Sequence, residues 1–141
     1  MNFDEKVVDR IKKLEREVER LRVKESPGAW QSWTPTLTYL GGTSNPTYTG
    51  TFRYSQIGKI VMFQVRVSFT LGASNRSYTY ISLPITAVTS SYSAVSASGN
   101  IVSTTYGTYA AFVESGAWIT IVHGTMTRDG NLFASGFYEA A

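Results

Sequence analysis

Read from its first residue, the chain predicts an all-β body, an antiparallel β-sandwich or jelly roll, preceded by an N-terminal α-helical coiled coil. Three observations predict it. Eight of the 13 Lys and Arg residues and seven of the 10 Asp and Glu residues fall within the first 25 of 141 positions. All 12 glycines, nine tyrosines and three tryptophans fall after them. Apolar residues recur at spacings of four and three in the first stretch and at every second position in much of the rest. The combination Ser26-Pro27-Gly28, which stops a helix and turns the chain, marks the change. The expected organisation is a stalk over residues 1–25, a linker over 26–32 and a head domain over 33–141.

In the helix, Val7, Ile11, Leu14, Val18 and Leu21 form the apolar stripe, with Val7, Leu14 and Leu21 at heptad position d and Ile11 and Val18 at a. Asn2 with Glu5 three residues later suits an N-terminal cap. Four turns of so narrow a stripe do not make a stable isolated helix in water, so the helix needs partners. An ordinary amphipathic helix folded back on the body is the alternative, but such a helix carries a wider apolar face. Here Arg10, Glu15, Glu17, Arg22 and Lys24 flank the seam with charge, which favours self-association.

Ile and Val at a with Leu at d lean towards two strands on core shape alone. The run Arg10-Ile11-Lys12-Lys13-Leu14-Glu15, however, resembles the short trimerisation motif of coiled coils. In a parallel trimer Arg10 binds Glu15 of the next chain bidentately, and its methylenes cover the Ile11 and Leu14 layers. Glu17 and Arg22 repeat the pairing with signs reversed. These charges also tolerate an antiparallel pair; the motif tips the expectation to a parallel homotrimer.

The body alternates most clearly at Val61, Phe63, Val65, Val67, Phe69 and Leu71, with Met62, Gln64, Arg66, Ser68 and Thr70 on the other face. Further strands are expected at 34–40, 47–56, 77–83, 93–104, 107–114, 117–126 and 131–139. Arg128-Asp129-Gly130-Asn131 reads as a tight hairpin. The polar faces are Ser and Thr rather than Lys and Glu, so the strands lack the charges that usually keep sheet edges apart. A self-associating body accounts for that.

Most chemistry is excluded or unsupported. There is no cysteine, so no disulfide or thiolate metal site. His123 is the one histidine; three copies on a threefold axis could hold a metal, but a packed strand histidine is the plainer reading, and no metal or cofactor is expected. A nucleophilic triad would need His123, a serine and one of Glu114, Asp129 or Glu139, and no G-x-S-x-G elbow is present. Three carboxylates in the body give little scope for paired-acid glycan cleavage, so no catalytic residue is assigned. The net charge is +3, but it splits into one excess positive charge in the helix and two in the body, with no basic cluster for nucleic acid. No apolar run approaches the ~20 residues of a membrane helix, and the charge-dense start is unlike a signal peptide.

Tyrosines remain as binding candidates: Tyr78 and Tyr80 on one strand face, Tyr106 and Tyr109 around Gly107. Aromatic faces stack on sugar rings and their hydroxyls hydrogen-bond, though packing at sandwich edges or between subunits is the plainer reading.

The opening Trp30-Gln31-Ser32-Trp33-Thr34-Pro35-Thr36-Leu37-Thr38 resembles that of a domain found in bacteriophage tail-fibre and minor virion structural proteins. Pro46-Thr47-Tyr48-Thr49-Gly50, Tyr54-Ser55-Gln56-Ile57-Gly58-Lys59-Ile60-Val61-Met62-Phe63 and the ending Ala134-Ser135-Gly136-Phe137-Tyr138 continue the likeness. The resemblance implies a trimeric, C1q-like β head at the tip of a tail or head fibre on the virion surface, with other virion proteins and host-surface glycan as partners. It supplies no catalytic residues and no transferable receptor contacts. A purely architectural capsid decoration protein and a glycan-active enzyme are the alternative expectations. Within the opening, Pro35 suits an edge strand and Gly58 a tight hairpin turn, both fold-specifying roles.

Overall fold

The computed structural model describes residues 2–24, 28–88 and 93–141, with helix side chains as far as Arg20. The expected break at Ser26-Pro27 and the Leu21 and Arg22 side chains therefore lie outside the described residues. Helix α1 runs Phe3–Lys24, with acidic residues Asp4 and Glu5 in its first turn. Asn2 caps it: its side-chain oxygen accepts the Glu5 amide at 2.9 Å.

Nine strands follow, β1 (Gln31–Ser32), β2 (Leu37–Leu40), β3 (Thr47–Ile57), β4 (Ile60–Thr70), β5 (Tyr78–Ser82), β6 (Ser93–Gly99), β7 (Gly107–Glu114), β8 (Trp118–Val122) and β9 (Gly130–Glu139). Every pairing is antiparallel, in the order β1-β3-β4-β9-β6-β7-β8-β5-β2. The all-β body with one N-terminal helix is thus present. β7 bends between two layers: its Gly107–Tyr109 part pairs with β6, and its Ala110–Glu114 part pairs with β8.

The period-two pattern of β4 places Val61, Phe63, Val65, Val67 and Phe69 between the layers, against Ile81, Ile119 and Ile121 from the other side. Tyr138 is fully buried; its hydroxyl donates to the Ile85 carbonyl at 2.6 Å, and burial pushes its ionisation up to about 12. The β3–β4 turn is Gly58-Lys59, with Gly58 at φ +59° as its first central residue, the arrangement a two-residue hairpin needs.

Both ends of the strand order belong to one segment. β1 pairs with β3, β2 pairs with β5, and Trp33–Thr36 crosses between them. Trp33 fastens the crossing: its amide donates to the Phe52 carbonyl at 3.1 Å and its Nε1–H to the Ser82 carbonyl at 3.0 Å. Its ring meets Phe52 and Tyr54 edge-on at 5.7 and 6.0 Å. Ser82 returns two bonds to Thr36. Pro35, buried in the crossing, splits the strand expected at 34–40, and pairing begins earlier, at Gln31, inside the span expected to be linker.

Two expectations are corrected. Arg128-Asp129-Gly130-Asn131 is no hairpin, because β8 and β9 are not neighbours; the segment crosses from one layer to the other, and Asp129 accepts the Leu71 amide at 2.6 Å. The strand expected to reach residue 104 stops at Gly99, and Ile101 fills the core from outside any strand.

Two substitutions test this packing. Trp33→Phe keeps a ring but orphans the Ser82 carbonyl, and should cost about 1 kcal/mol in a urea melt. Gly136 in β9 lies so near the Ala94 carbonyl that an added Cβ would overlap it. Gly136→Ala should cost about 1–3 kcal/mol in the same assay, the range for overpacking.

Candidate functional site

Among the described residues nothing covers the stripe on α1. Val7, Ile11, Leu14 and Val18 are 38%, 50%, 59% and 53% exposed, so the helix does not fold back to bury them. Arg10 and Glu15 are exposed beside the stripe. Among the described residues the one ion pair is Glu17–Arg20, at 3.8 Å.

The body presents two unlike outer faces. On the layer formed by β2, β5, β8 and part of β7, the pairing register sets Leu40, Tyr78, Val122 and Ala110 in one row and Tyr80, Thr120 and Phe112 in the next. Tyr80 meets Trp118 edge-on at 6.4 Å. Phe112 and Leu40 are exposed, and Glu114, the face's carboxylate, accepts the Thr120 hydroxyl at 2.7 Å.

The other face, over β3, β4, β9 and β6, carries a trough of about 490 Å³. Its floor is hydroxyl-rich, with Thr51, Ser96, Ser98 and Ser135. Arg53 donates through Nε to Gln64 Oε1 at 2.8 Å, and its guanidinium lies 5.0 Å from the Trp30 ring. Arg66 lies 5.6 Å from the Phe133 ring. Because Arg53 opposes Gln64 and Thr51 opposes Arg66, the two arginines are diagonal neighbours, ~7–8 Å apart at their stems.

The four tyrosines do not converge. Tyr78 and Tyr80 share the apolar face. Tyr106, 54% exposed, lies outside the trough lining but packs its ring 6.1 Å from Phe133, which is part of it, and Asn131 donates to the Tyr106 hydroxyl at 3.5 Å. Tyr109 turns inward, its ring 5.9 Å from His123. Sequence reasoning left Arg53, Arg66 and Phe133 unremarked as site residues. The available signal was their position on the outward face of alternating strands, which needs the register to become a cluster.

His123 is buried, and both ring nitrogens are engaged: Nδ1 with the Gly124 carbonyl at 2.6 Å and Nε2 with the Thr79 hydroxyl at 2.8 Å. That pairing fits a neutral ring with its proton on Nδ1. No group of three metal-ligating side chains occurs among the described residues.

Burial holds the His123 imidazole below the usual histidine range, the Gly124 bond opposing this in part. The unfolded chain therefore takes up a proton first as pH falls, and stability is lost from about pH 6.5 downward. Tm should fall between about pH 7 and about pH 5.5. His123→Gln should flatten that slope while lowering Tm at neutral pH. No family model, no curated protein and no solved structure matches the chain.

Proposed function

We propose that the chain is a non-enzymatic appendage protein of a bacteriophage particle, a tail or head fibre on the virion surface. In this reading α1 assembles three copies as a parallel coiled coil, and the sandwiches form a C1q-like jelly-roll head that attaches to host-surface saccharide. The observation that carries it is the exposed Val7–Val18 stripe. A seam of four apolar side chains on a 22-residue helix is unfavourable in water, and its own body leaves it uncovered. Identical copies cover it with matching heptads, with Arg10 and Glu15 placed to bind across chains.

The apolar outer face of β2, β5 and β8 supports the same assembly. Tyr78, Tyr80, Trp118 and Phe112 suit a contact between heads, where aromatic residues are enriched. The mechanism of attachment is avidity: three weak sites on one stalk gain affinity from effective concentration. The engaged states of His123, Glu114 and Asp129 support a non-enzymatic reading. An architectural fibre that only projects or clamps is the second reading, favoured by the placing of Tyr78 and Tyr80 on the self-packing face.

Sedimentation equilibrium at micromolar concentration should give a mass near three times the chain's 15.6 kDa. Leu14→Asp, which puts a charge in the seam, should weaken assembly by about tenfold or more while leaving the β signal in circular dichroism unchanged. A monomeric parent chain overturns the proposal. Labelled trimer that fails to bind any intact bacterial cell removes attachment and leaves the architectural reading; release of reducing ends from wall polysaccharide would instead show an enzyme.

A further inference from the structure

We infer that the trough over β3, β4, β9 and β6 binds an acidic saccharide, with Arg53 and Arg66 taking a carboxylate or phosphate carried on the sugar and the exposed ring of Tyr106, packed beside Phe133, stacking on the sugar ring. The inference rests on the attachment reading and names its ligand class.

Charge is the first argument. The body has five basic side chains, and two of them are spent inside it. Arg76 donates to Asn45 and to the Gly41 and Gly42 carbonyls at 2.9–3.0 Å. Arg128 donates to the Asn100 and Ser103 carbonyls at 3.3 and 3.4 Å. Arg53 and Arg66 instead lie on one open face. Among the described residues neither meets a carboxylate, and the Arg66 guanidinium donates no hydrogen bond within the chain. Two guanidinium forks without a counter-charge form a site for an oxyanion, which arginine binds bidentately.

Orientation is the second. Gln64 Oε1 accepts from both Nε and Nη2 of Arg53, which fixes the guanidinium and leaves the two Nη1 N–H groups and one Nη2 N–H for a ligand. Phe133 backs Arg66, so both side chains are positioned before any ligand arrives. Ser68 donates to Asn131 at 2.7 Å, and Asn131 in turn reaches the Tyr106 hydroxyl, whose ring packs beside Phe133 of the trough lining.

The third is the mixture of surfaces. A plain anion needs no aromatic platform, and a neutral sugar needs no paired arginines. Stacked rings for the C–H face, a floor of Thr51, Ser96, Ser98 and Ser135 for hydroxyls, and two cations for the acid group together fit a sugar that bears one.

The test is calorimetric titration of the full-length protein with four probes: an oligogalacturonate (carboxylate), a glycerol-phosphate oligomer (phosphate), maltohexaose (neutral) and inorganic phosphate. At least one acidic oligomer should bind at about 1 mM or tighter, more weakly as salt is raised. Arg66→Gln and Arg53→Gln should each weaken it by about tenfold. Both positions are exposed, so their thermal melts should match the parent's and separate loss of binding from loss of fold. Binding by neither acidic oligomer, equal binding of maltohexaose, or inorganic phosphate binding as tightly as its oligomer overturns the inference. A trimer that takes no acidic probe removes this site and leaves the stalk; a monomer that takes one removes the stalk and leaves the site.

Discussion

The body depends on one segment, Gln31–Leu40, pairing at both ends of the strand order. A sheet normally ends in two strands with unpaired backbone groups, and proteins guard them with lysines, prolines or bulges. Here the two end strands are successive pieces of the same chain, joined through Pro35 and held by Trp33 between Phe52, Tyr54 and the Ser82 carbonyl. The layers are thereby tied at their margin by covalent chain. The strands at the two ends of the order are also short, two residues in β1 and four in β2, which limits the edge that a Ser- and Thr-rich sheet offers.

That closure frees the few charged side chains for other work. Arg76, Arg128 and Asp129 pin loops to carbonyls and an amide, where a charged partner makes a stronger bond than a neutral one. Glu114 holds Thr120 on the apolar face. What remains is an asymmetry: one outer face is aromatic and nearly uncharged, while the other shows two guanidinium groups above hydroxyls. Faces that differ this much suit different neighbours, the first another head and the second a polar, acidic ligand.

Much of the body was legible because burial on one side writes itself as period two. Val61 to Phe69 needed no structure to be placed inward, and Gly58 announced its turn. Pro35 could be read as fold-specifying, though the bond that nearby Trp33 makes to Ser82 could not. The failures share a cause. Asp129-Gly130 has the local chemistry of a hairpin turn, but local chemistry reverses a chain without choosing which strand it joins, and here the reversal leads into the opposite layer. The trough is illegible for the same reason: Arg53 and Arg66 meet through the β3–β4 register, and Tyr106 reaches Phe133 only once β9 lies beside β6 and β4. Four tyrosines of one type landed in three environments because residue type says nothing about which face is turned outward.

The helix reverses this balance, since its heptads are plain in sequence while the described body gives their stripe no cover. A body already closed, with its core filled by its own strands, has no groove that demands a helix, and α1 brings too little apolar surface to hold itself in water. Among the described residues the body therefore has its core, while the helix has no cover for its stripe. In the trimer we propose, the covalent link between the two is what matters: zipping the seam raises the local concentration of the three bodies to the millimolar range. At that concentration an apolar contact among Tyr78, Tyr80 and Phe112 too weak to assemble free heads becomes sufficient, and three shallow troughs act as one.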